Sequence, residues 1–488
     1  MNLYLEKASA LAPELIRTTV MPFEKEENRR SLKKGDKVVF DFGDHQVGYV
    51  TLKLKSVGSP QDAPAFIRLK FAEIEKELHE NADDYDGWIS RGWIQEECIH
   101  IDVLPAVLEL QRRYAFRYLE VSVIDTSQKF QLVIEDVSLS AVSSADQASV
   151  DPLGLQDEKL KKLDKVSIRT LQNCMQDVFE DGPKRDRRLW IGDLRLQAKV
   201  NYVLFRNYDL VKRCLYLFAG LTREDGKVSA CLFTEPEYIG DDTYIFDYSL
   251  FFIDILKDYY QETNDIAFVE ELWDCAYRQI ELSRLEFDDT NLYANEETMS
   301  CFVDWKEGLD RQASAQAIYI QCLKNAVGLA DVLGKTTIAQ ELQDEIQNKT
   351  EAALRYLWDD RQKFFVSGKD RQVSYASQVW MVLAGVVNKE EGALLLHRIA
   401  ELNPEMGMVT PYANSHYVEA LLMCGEKQQA LDYLNYYWGG MLVQGADTFW
   451  EMYNPENPDE SPYGSSIVNS YCHAWSCMPS FFIRKYFL

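Results

Sequence analysis

Between Glu180 and Asp193 the chain reads EDGPKRDRRLWIGD, four carboxylates, three arginines, a lysine and a tryptophan gathered around Gly182 and Pro183 between two helical patterns. A solvated charge run is more often of one sign, or spread over a helix face at i,i+4 spacing. Mixed signs beside an aromatic side chain indicate a binding loop; a salt-bridge knot that pins the loop is the structural alternative. A second polar and aromatic cluster lies far downstream, GADTFWEMYNP at 445–455 and NSYCHAWSCMP at 469–479, after a helix end expected at Gly439-Gly440. Cleaving a glycosidic bond takes one carboxylic acid to protonate the leaving oxygen and a second carboxylate to act at the anomeric carbon or on its water. Asp186 or Asp193 with Glu451 supplies such a pair. Trp190 and Trp450 suit it, because a pyranose packs its apolar face on indole and a low-dielectric wall raises the pKa of a general acid.

At these residues the chain resembles the bacterial α-L-rhamnosidases of glycoside hydrolase family 78. That family carries a loop of the form Asp-Cys-Pro-x-Arg-Glu ending a few residues later in Gly-Asp, and Asp181, Pro183, Arg185, Asp186, Gly192 and Asp193 align with it without a gap. Gly182 stands for the Cys, and Asp186 for the Glu that serves the family as general acid. The family's general base lies in Gly-Ala-Thr-Thr-x-Trp-Glu, matched here by Gly445 to Glu451 with Asp447 in place of the first Thr. Further matches are Asp247-Tyr248-Ser249, Asp304-Trp305, Thr410-Pro411-Tyr412, His416 and His473. The resemblance implies an inverting hydrolase, its two carboxyl groups roughly 6.5–9.5 Å apart to admit a water. Asp186 is then the acid and Glu451 the base. Asp181, Asp193, Asp247, Asp304, Tyr412, His416 and His473 hold the sugar, Arg185 orients a carboxylate through its planar fork, and Trp190, Trp305 and Trp450 give packing surface. No cofactor is required. Two other readings stay open: a catalytically impaired glycan-binding protein on the same barrel, and an inverting hydrolase of a different sugar.

The whole chain must be large enough to build such a site. With 488 residues, 47% hydrophobic and 12% aromatic, it exceeds what one core usually serves, so two domains are expected. A net charge of −26 excludes nucleic acid or anionic membrane as the natural partner, since phosphate binding needs a basic face; an uncharged small carbohydrate is indifferent to that field. The ten cysteines lack CxxC or Cys/His metal spacing and read as reduced thiols. The N-terminus places Glu6 and Lys7 where a signal peptide would begin its apolar stretch, and no apolar run is long enough to span a bilayer. A cytoplasmic enzyme is expected, and a homo-oligomer is compatible with the sequence.

Residues 1–150 read as β structure, with strand patterns at Lys37–Phe42, Gly48–Lys55, Phe66–Phe71, Cys98–Val103, Tyr118–Ile124 and Phe130–Leu139 broken by turn signals. Short strands at that spacing imply an antiparallel β-sandwich. In the loop DDYDGWISRGWIQEE, Trp88 and Trp93 are expected to pack in a core or interface, with sugar contact at the barrel mouth as the alternative. Residues 151–488 are helical almost throughout, with expected helices that include Leu194–Phe218, Thr337–Leu357 and Ser466–Phe487. Periodicity alone gives a large all-helical domain; the resemblance implies an (α/α)6 toroid. In such a barrel the loops before the inner helices carry function. One of them, Glu235–Tyr248, is acidic, and sugar binding or N-capping by Asp241, Asp242 or Asp247 is expected there rather than calcium.

Overall fold

The computed structural model describes residues 2–23, 31–294 and 300–488. After a short helix α1 (Leu3–Ala10) come, among the described residues, eight strands: β1 (Ile16–Val20), β2 (Ser31–Leu32), β3 (Lys37–Gly58), β4 (Ala65–Ala72), β5 (Glu96–Ile101), β6 (Ala106–Glu109), β7 (Tyr114–Asp125) and β8 (Phe130–Ser143). All pairings are antiparallel, in the order β1-β8-β3-β7-β4-β5 with β2 on β8 and β6 on β3. The two strands expected at Lys37–Phe42 and Gly48–Lys55 are one. An irregularity between Asp41 and Gln46 carries β3 past the interruption in its alternation. The first part of β3 pairs with β7 and the second with β8, and Gly48 faces Tyr114 on one side and Ala141 on the other. A Cβ there would overlap the carbonyl oxygen of Ser140, so the change of partner requires glycine. The sheet thereby folds into two layers over a shared core of alternating residues, including Val38, Phe40, Leu52, Ile67, Leu69, Leu119, Val121 and Leu139.

Among the described residues twelve further helices follow: α2 (Glu158–Cys174), α3 (Ile191–Val203), α4 (Tyr208–Gly220), α5 (Phe246–Thr263), α6 (Ile266–Ser283), α7 (Gln312–Val332), α8 (Thr336–Ala352), α9 (Tyr375–Leu383), α10 (Lys389–Leu402), α11 (Pro411–Cys424), α12 (Lys427–Val443) and α13 (Pro479–Tyr486). Helix α3 packs on α5, α5 on α7, α7 on α9, α9 on α11 and α13 on α3, and the short turn Ala474–Ser476 touches both α11 and α3, so the odd-numbered helices from α3 onward form an inner ring completed by that turn. These inner helices are buried nearly all round, whereas α6, α8 and α10 keep a polar outer face. Helix α1 sits on α4, its last turn held by Arg213 on the Ala8 carbonyl.

Four helix boundaries differ from the periodicity reading. The stretch Leu194–Phe218 breaks between α3 and α4, where Arg206 takes a positive φ of 54° and Asn207 caps the new helix at the Leu210 N–H. Helix α12 runs through Gly439-Gly440 to Val443; Gly440 is small because Tyr453 presses on it, 2.5 Å from where a Cβ would stand. The last turn of the stretch expected at Thr337–Leu357 widens into a π-helical turn after Ala352. Of Ser466–Phe487 only Pro479 onward is a regular helix. The first half is an extended strap with short turns, its N–H groups taken by the rest of the molecule: Tyr471 by Glu73, His473 by the Phe449 carbonyl and Ala474 by the Asp181 carbonyl.

Candidate active site

The loops that precede the inner helices surround a pocket of about 500 Å³ at one end of the barrel, within the range of small-molecule sites. The charged loop before α3 divides its residues between two tasks. Three brace it against the β domain: Glu180 accepts two 2.8 Å bonds from Arg113, Lys184 pairs with buried Glu77, and Arg187 donates at 2.8 Å to the carbonyls of Pro183 and Arg113. The others face the pocket, namely Asp181, Arg185, Asp186 and Arg188, with Trp190 and Asp193 at the helix start. A two-way clasp closes the loop, since the Asp181 N–H donates to the Arg188 carbonyl and Asp181 Oδ1 accepts from the Arg188 N–H, both at 3.0 Å. At its tip Asp186 and Arg187 have φ of 62° and 54°, a left-handed conformation that residues other than glycine adopt at a cost. That turn presents the Asp186 carboxylate to the pocket. The binding loop and the salt-bridge knot are therefore one structure.

Opposite lies Glu451, fixed from every side. Its N–H donates to the Ser470 carbonyl at 3.0 Å, its own carbonyl accepts the Trp475 indole N–H at 2.8 Å, Tyr463 donates its hydroxyl to Oε1 at 2.8 Å, and Arg185 pairs with Oε2. The Arg185 guanidinium also donates from Nε to the Val468 carbonyl and lies 4.3 Å from the Tyr463 ring centre. Burial raises the Glu451 pKa above the usual carboxylate range, while Arg185 and the Tyr463 hydrogen bond oppose it. Asp181 and Asp193 are pushed well up, first by burial and then by neighbouring carboxylates. His473 projects from the strap among these acids, 3.6 Å from Asp193, 3.7 Å from Glu451 and 3.9 Å from Asp181. Burial and the nearby Arg185 hold its pKa well below the ordinary value, so the imidazole is neutral. Among the described residues, Asp193 Oδ1, His473 Nδ1 and Arg188 Nε have no hydrogen-bond partner. Two of these atoms, Asp193 Oδ1 and His473 Nδ1, are the two ends of the 3.6 Å contact between those side chains.

Aromatic rings line the rest of the pocket. Trp305, Trp475 and Phe302 stack edge-on and offset at 5.2–6.4 Å, with Tyr248 against Phe302 at 5.5 Å. The β domain closes the outer side with Trp88, Ile89, Ser90 and Trp93. Trp88, expected to be packed away, is 78% exposed.

Five residues that the motifs singled out do not line this pocket. Asp247 is buried and accepts the N–H groups of Phe302 and Val303 at 2.9 and 3.1 Å, fixing the loop that carries Trp305. Asp304 accepts from the backbone of Val409 and Thr410 and from the Thr410 hydroxyl, tying that loop to the start of α11. Tyr412 lies beneath Phe302 and His416, and His416 accepts from Arg195 at 2.9 Å between Tyr412 and Trp380. Trp450 points the other way, packed on Tyr453 and Tyr471 beside a separate cleft between the domains. Glu451 and Trp450 are adjacent in sequence, yet Glu451 lines the pocket and Trp450 the other cleft. From the acidic segment 235–248 only Ile245 and Tyr248 reach the pocket, and α5 starts after Ile245 with no side-chain cap, so none of Asp241, Asp242 and Asp247 caps it. Sequence reasoning passed over Arg188, Tyr248, Phe302, Tyr463 and Trp475 as site residues. Trp475, two residues after His473 in a segment already notable for its aromatics, was the one most open to detection.

Among the described residues no His/Cys/Asp/Glu group is arranged to hold a metal ion, and no helix is long and apolar enough to cross a membrane. Residues 7–141 match the glycosyl hydrolase family 78 alpha-rhamnosidase N-terminal domain, and residues 153–486 match the bacterial alpha-L-rhamnosidase 6 hairpin glycosidase domain. Among solved structures, a rhamnosidase from Klebsiella oxytoca with rhamnose bound is 46% identical with a TM-score of 0.97, the match covering 99% of this chain and 98% of that one. A family 78 rhamnosidase of Bacillus sp. GL1 superimposes at a TM-score of 0.77 with 22% identity over 92% of this chain and 46% of its own, and an α-L-rhamnosidase of Streptomyces avermitilis complexed with L-rhamnose at 0.70 with 17% identity over 97% and 44%. The last two share the fold, and this chain spans about half their length. No curated protein sequence matches.

Proposed function

Because the chain belongs to glycoside hydrolase family 78, we propose that it is an α-L-rhamnosidase that releases terminal L-rhamnose from short glycosides with inversion at the anomeric carbon. The observation that carries this reading is the convergence, in one aromatic-walled pocket, of Glu451 clamped by Arg185 and Tyr463 with Asp186, Asp181 and Asp193 of the facing loop. The Klebsiella oxytoca relative, whose structure holds rhamnose, supports the choice of sugar.

The chemistry follows from the positions. Rhamnose is uncharged, so recognition rests on hydroxyl hydrogen bonds and ring packing; the side chains of Asp181, Arg188, Asp193 and His473 supply the first, and Trp305, Trp475 and Phe302 the second. Asp186, on a left-handed turn at the pocket wall, donates a proton to the glycosidic oxygen as the C–O bond breaks. Glu451 takes a proton from the water that attacks the opposite face of the sugar, and the electron pair of the broken bond leaves with the aglycone oxygen. Arg185 opposes the rise that burial imposes on the Glu451 pKa and so favours the ionised form that a base requires.

A panel of nitrophenyl glycosides differing only in the sugar tests the assignment. Turnover of the α-L-rhamnoside far above the others is expected. Turnover of a different sugar instead, or sugar binding without turnover, overturns it.

A further inference from the structure

Glu451 is held through its backbone as well as its side chain, and that backbone leads to the β domain. Two rungs join its segment to the strap: the Glu451 N–H donates to the Ser470 carbonyl at 3.0 Å, and the Thr448 hydroxyl donates to the Tyr471 carbonyl at 2.7 Å. At 469–473 the strap is neither helix nor strand, so its position depends on what grips its remaining groups. The grips are two carboxylates that follow β4. Glu73 Oε2 accepts the Tyr471 N–H at 2.7 Å. Glu77 pairs with Lys184, whose ammonium donates to the Asn469 carbonyl at 2.8 Å. Of three successive strap residues, the outer two are gripped and the middle one carries the base.

Glu73 is the more direct of the two grips. It is 1% exposed; its other oxygen accepts from His45 Nε2 at 2.9 Å, its own N–H donates to Glu77, and Lys184 lies 3.6 Å away. A carboxylate fixed at both oxygens offers a backbone N–H one strong, charge-assisted bond, and its removal leaves that N–H buried without a partner. The next residues of the strap are fixed independently of Glu73. The His473 N–H donates to the Phe449 carbonyl at 2.9 Å and the Ala474 N–H to the Asp181 carbonyl at 2.7 Å, both bonds lying within the barrel. Loss of Glu73 therefore reaches Glu451 through the two rungs and leaves His473 and Asp181, which hold sugar, in place.

Resting on the reading of Glu451 as the base, we propose that Glu73 of the β domain is a positioning residue for hydrolysis, setting the placement of Glu451 from outside the barrel. Rate rather than sugar affinity is at stake, because a misplacement of about 1 Å costs about a hundredfold in turnover. The test compares Glu73→Ala, Glu73→Gln and Leu52→Ala with the parent enzyme at a temperature where circular dichroism shows each to be folded. Glu73→Ala is expected to lower kcat on nitrophenyl α-L-rhamnoside about ten- to a hundredfold, with the inhibition constant of L-rhamnose near that of the parent. Glu73→Gln keeps an oxygen for the Tyr471 N–H and is expected to recover part of the loss; it carries the comparison where Glu73→Ala does not fold. Leu52, fully buried in the β core, is the control for stability alone: Leu52→Ala lowers Tm and spares kcat. A cycle with Glu451→Gln separates positioning from a general structural effect, since a residue that acts through Glu451 changes little once the base is gone. An unchanged kcat in the folded Glu73 variants overturns the proposal, as does the same fold-loss with and without Glu451 or a like loss in Leu52→Ala. Failure of the parent to cleave the rhamnoside refutes the rhamnosidase reading instead, and full turnover by Glu451→Gln refutes the base, each a separate result.

Discussion

Arg185→Met probes how the base is kept ready. The Arg185 and Glu451 side chains are 4% and 6% exposed, so the pair exchanges little with solvent, and methionine fills much of the same volume without charge. Removing one partner of a buried ion pair costs about 3–5 kcal/mol, because the other charge is left uncompensated. At 1.36 kcal/mol per pKa unit, even the lower figure corresponds to about 2 units. Glu451 already titrates above the ordinary range because it is buried, and Arg185 is the first influence opposing that rise, so the variant's Glu451 pKa rises further. The base works only when ionised; the acidic limb of the kcat–pH profile therefore moves toward higher pH by about 2 units, and the pH range in which base and acid are both in their working forms narrows. Stability has a matching sign. A carboxyl whose folded pKa exceeds its unfolded value, about 4.3 for Glu, contributes stability that is lost as pH rises through the folded value. The Tm deficit of Arg185→Met is thus expected to widen from acid to neutral pH, beyond the constant loss of the Val468 hydrogen bond and the Tyr463 contact. Steady-state kinetics on nitrophenyl α-L-rhamnoside across pH, with calorimetric melting at the same pH values, measures both. An acidic limb that stays in place refutes the reasoning, because Glu451 is then either not the titrating base or not held by Arg185.

Glu451→Gln is expected to lower kcat by about two to four orders of magnitude while L-rhamnose affinity by calorimetry stays near that of the parent; near-normal turnover rules Glu451 out as base. Asp186→Asn should harm a glycoside with an alcohol leaving group far more than a nitrophenyl glycoside, whose phenol needs little protonation, and equal losses would assign Asp186 to sugar binding. If Asp193→Asn alone removes protonation-dependent turnover, the acid lies at the other end of the loop. Lys184→Met leaves Glu77 buried without its cation, whereas Glu73 keeps its 2.9 Å contact with His45, at a cost of about 3–5 kcal/mol in unfolding free energy. Burial pushes the Glu77 pKa up to about 7 even with Lys184 beside it, so the deficit in denaturant melts should grow with rising pH; a pH-independent loss contradicts the pairing.

Strands with a polar face, such as β7 and β8, were legible because alternation marks them directly, and the family motifs located the loop from Asp181 to Asp193 together with Glu451, Trp305 and His473, all of which the fold brings to one pocket. What stayed hidden depends on contacts distant in sequence. The strap at 466–478 has helical spacing of its apolar residues, yet Glu73, Asp181 and Phe449 claim its backbone. Periodicity cannot register that competition. Asp247 and Asp304 sit in motifs like the pocket residues do, but their carboxylates serve backbone N–H groups of neighbouring loops, and a motif does not separate a residue that touches the guest from one that holds the wall. Trp88 misled in the opposite sense: tryptophan is generally buried, and only the three-dimensional placement of its loop at the pocket mouth accounts for an indole left in water.

Proton NMR of the first turnovers of an α-L-rhamnoside tests the central claim most directly, because it reads substrate, bond and stereochemistry together. Release of L-rhamnose whose anomeric signal is initially that of the β form, followed by mutarotation to the equilibrium mixture, is the predicted result for Asp186 and Glu451 acting across an intervening water. Initial release of the α anomer contradicts that arrangement, and absence of any released rhamnose contradicts the assignment of the pocket itself.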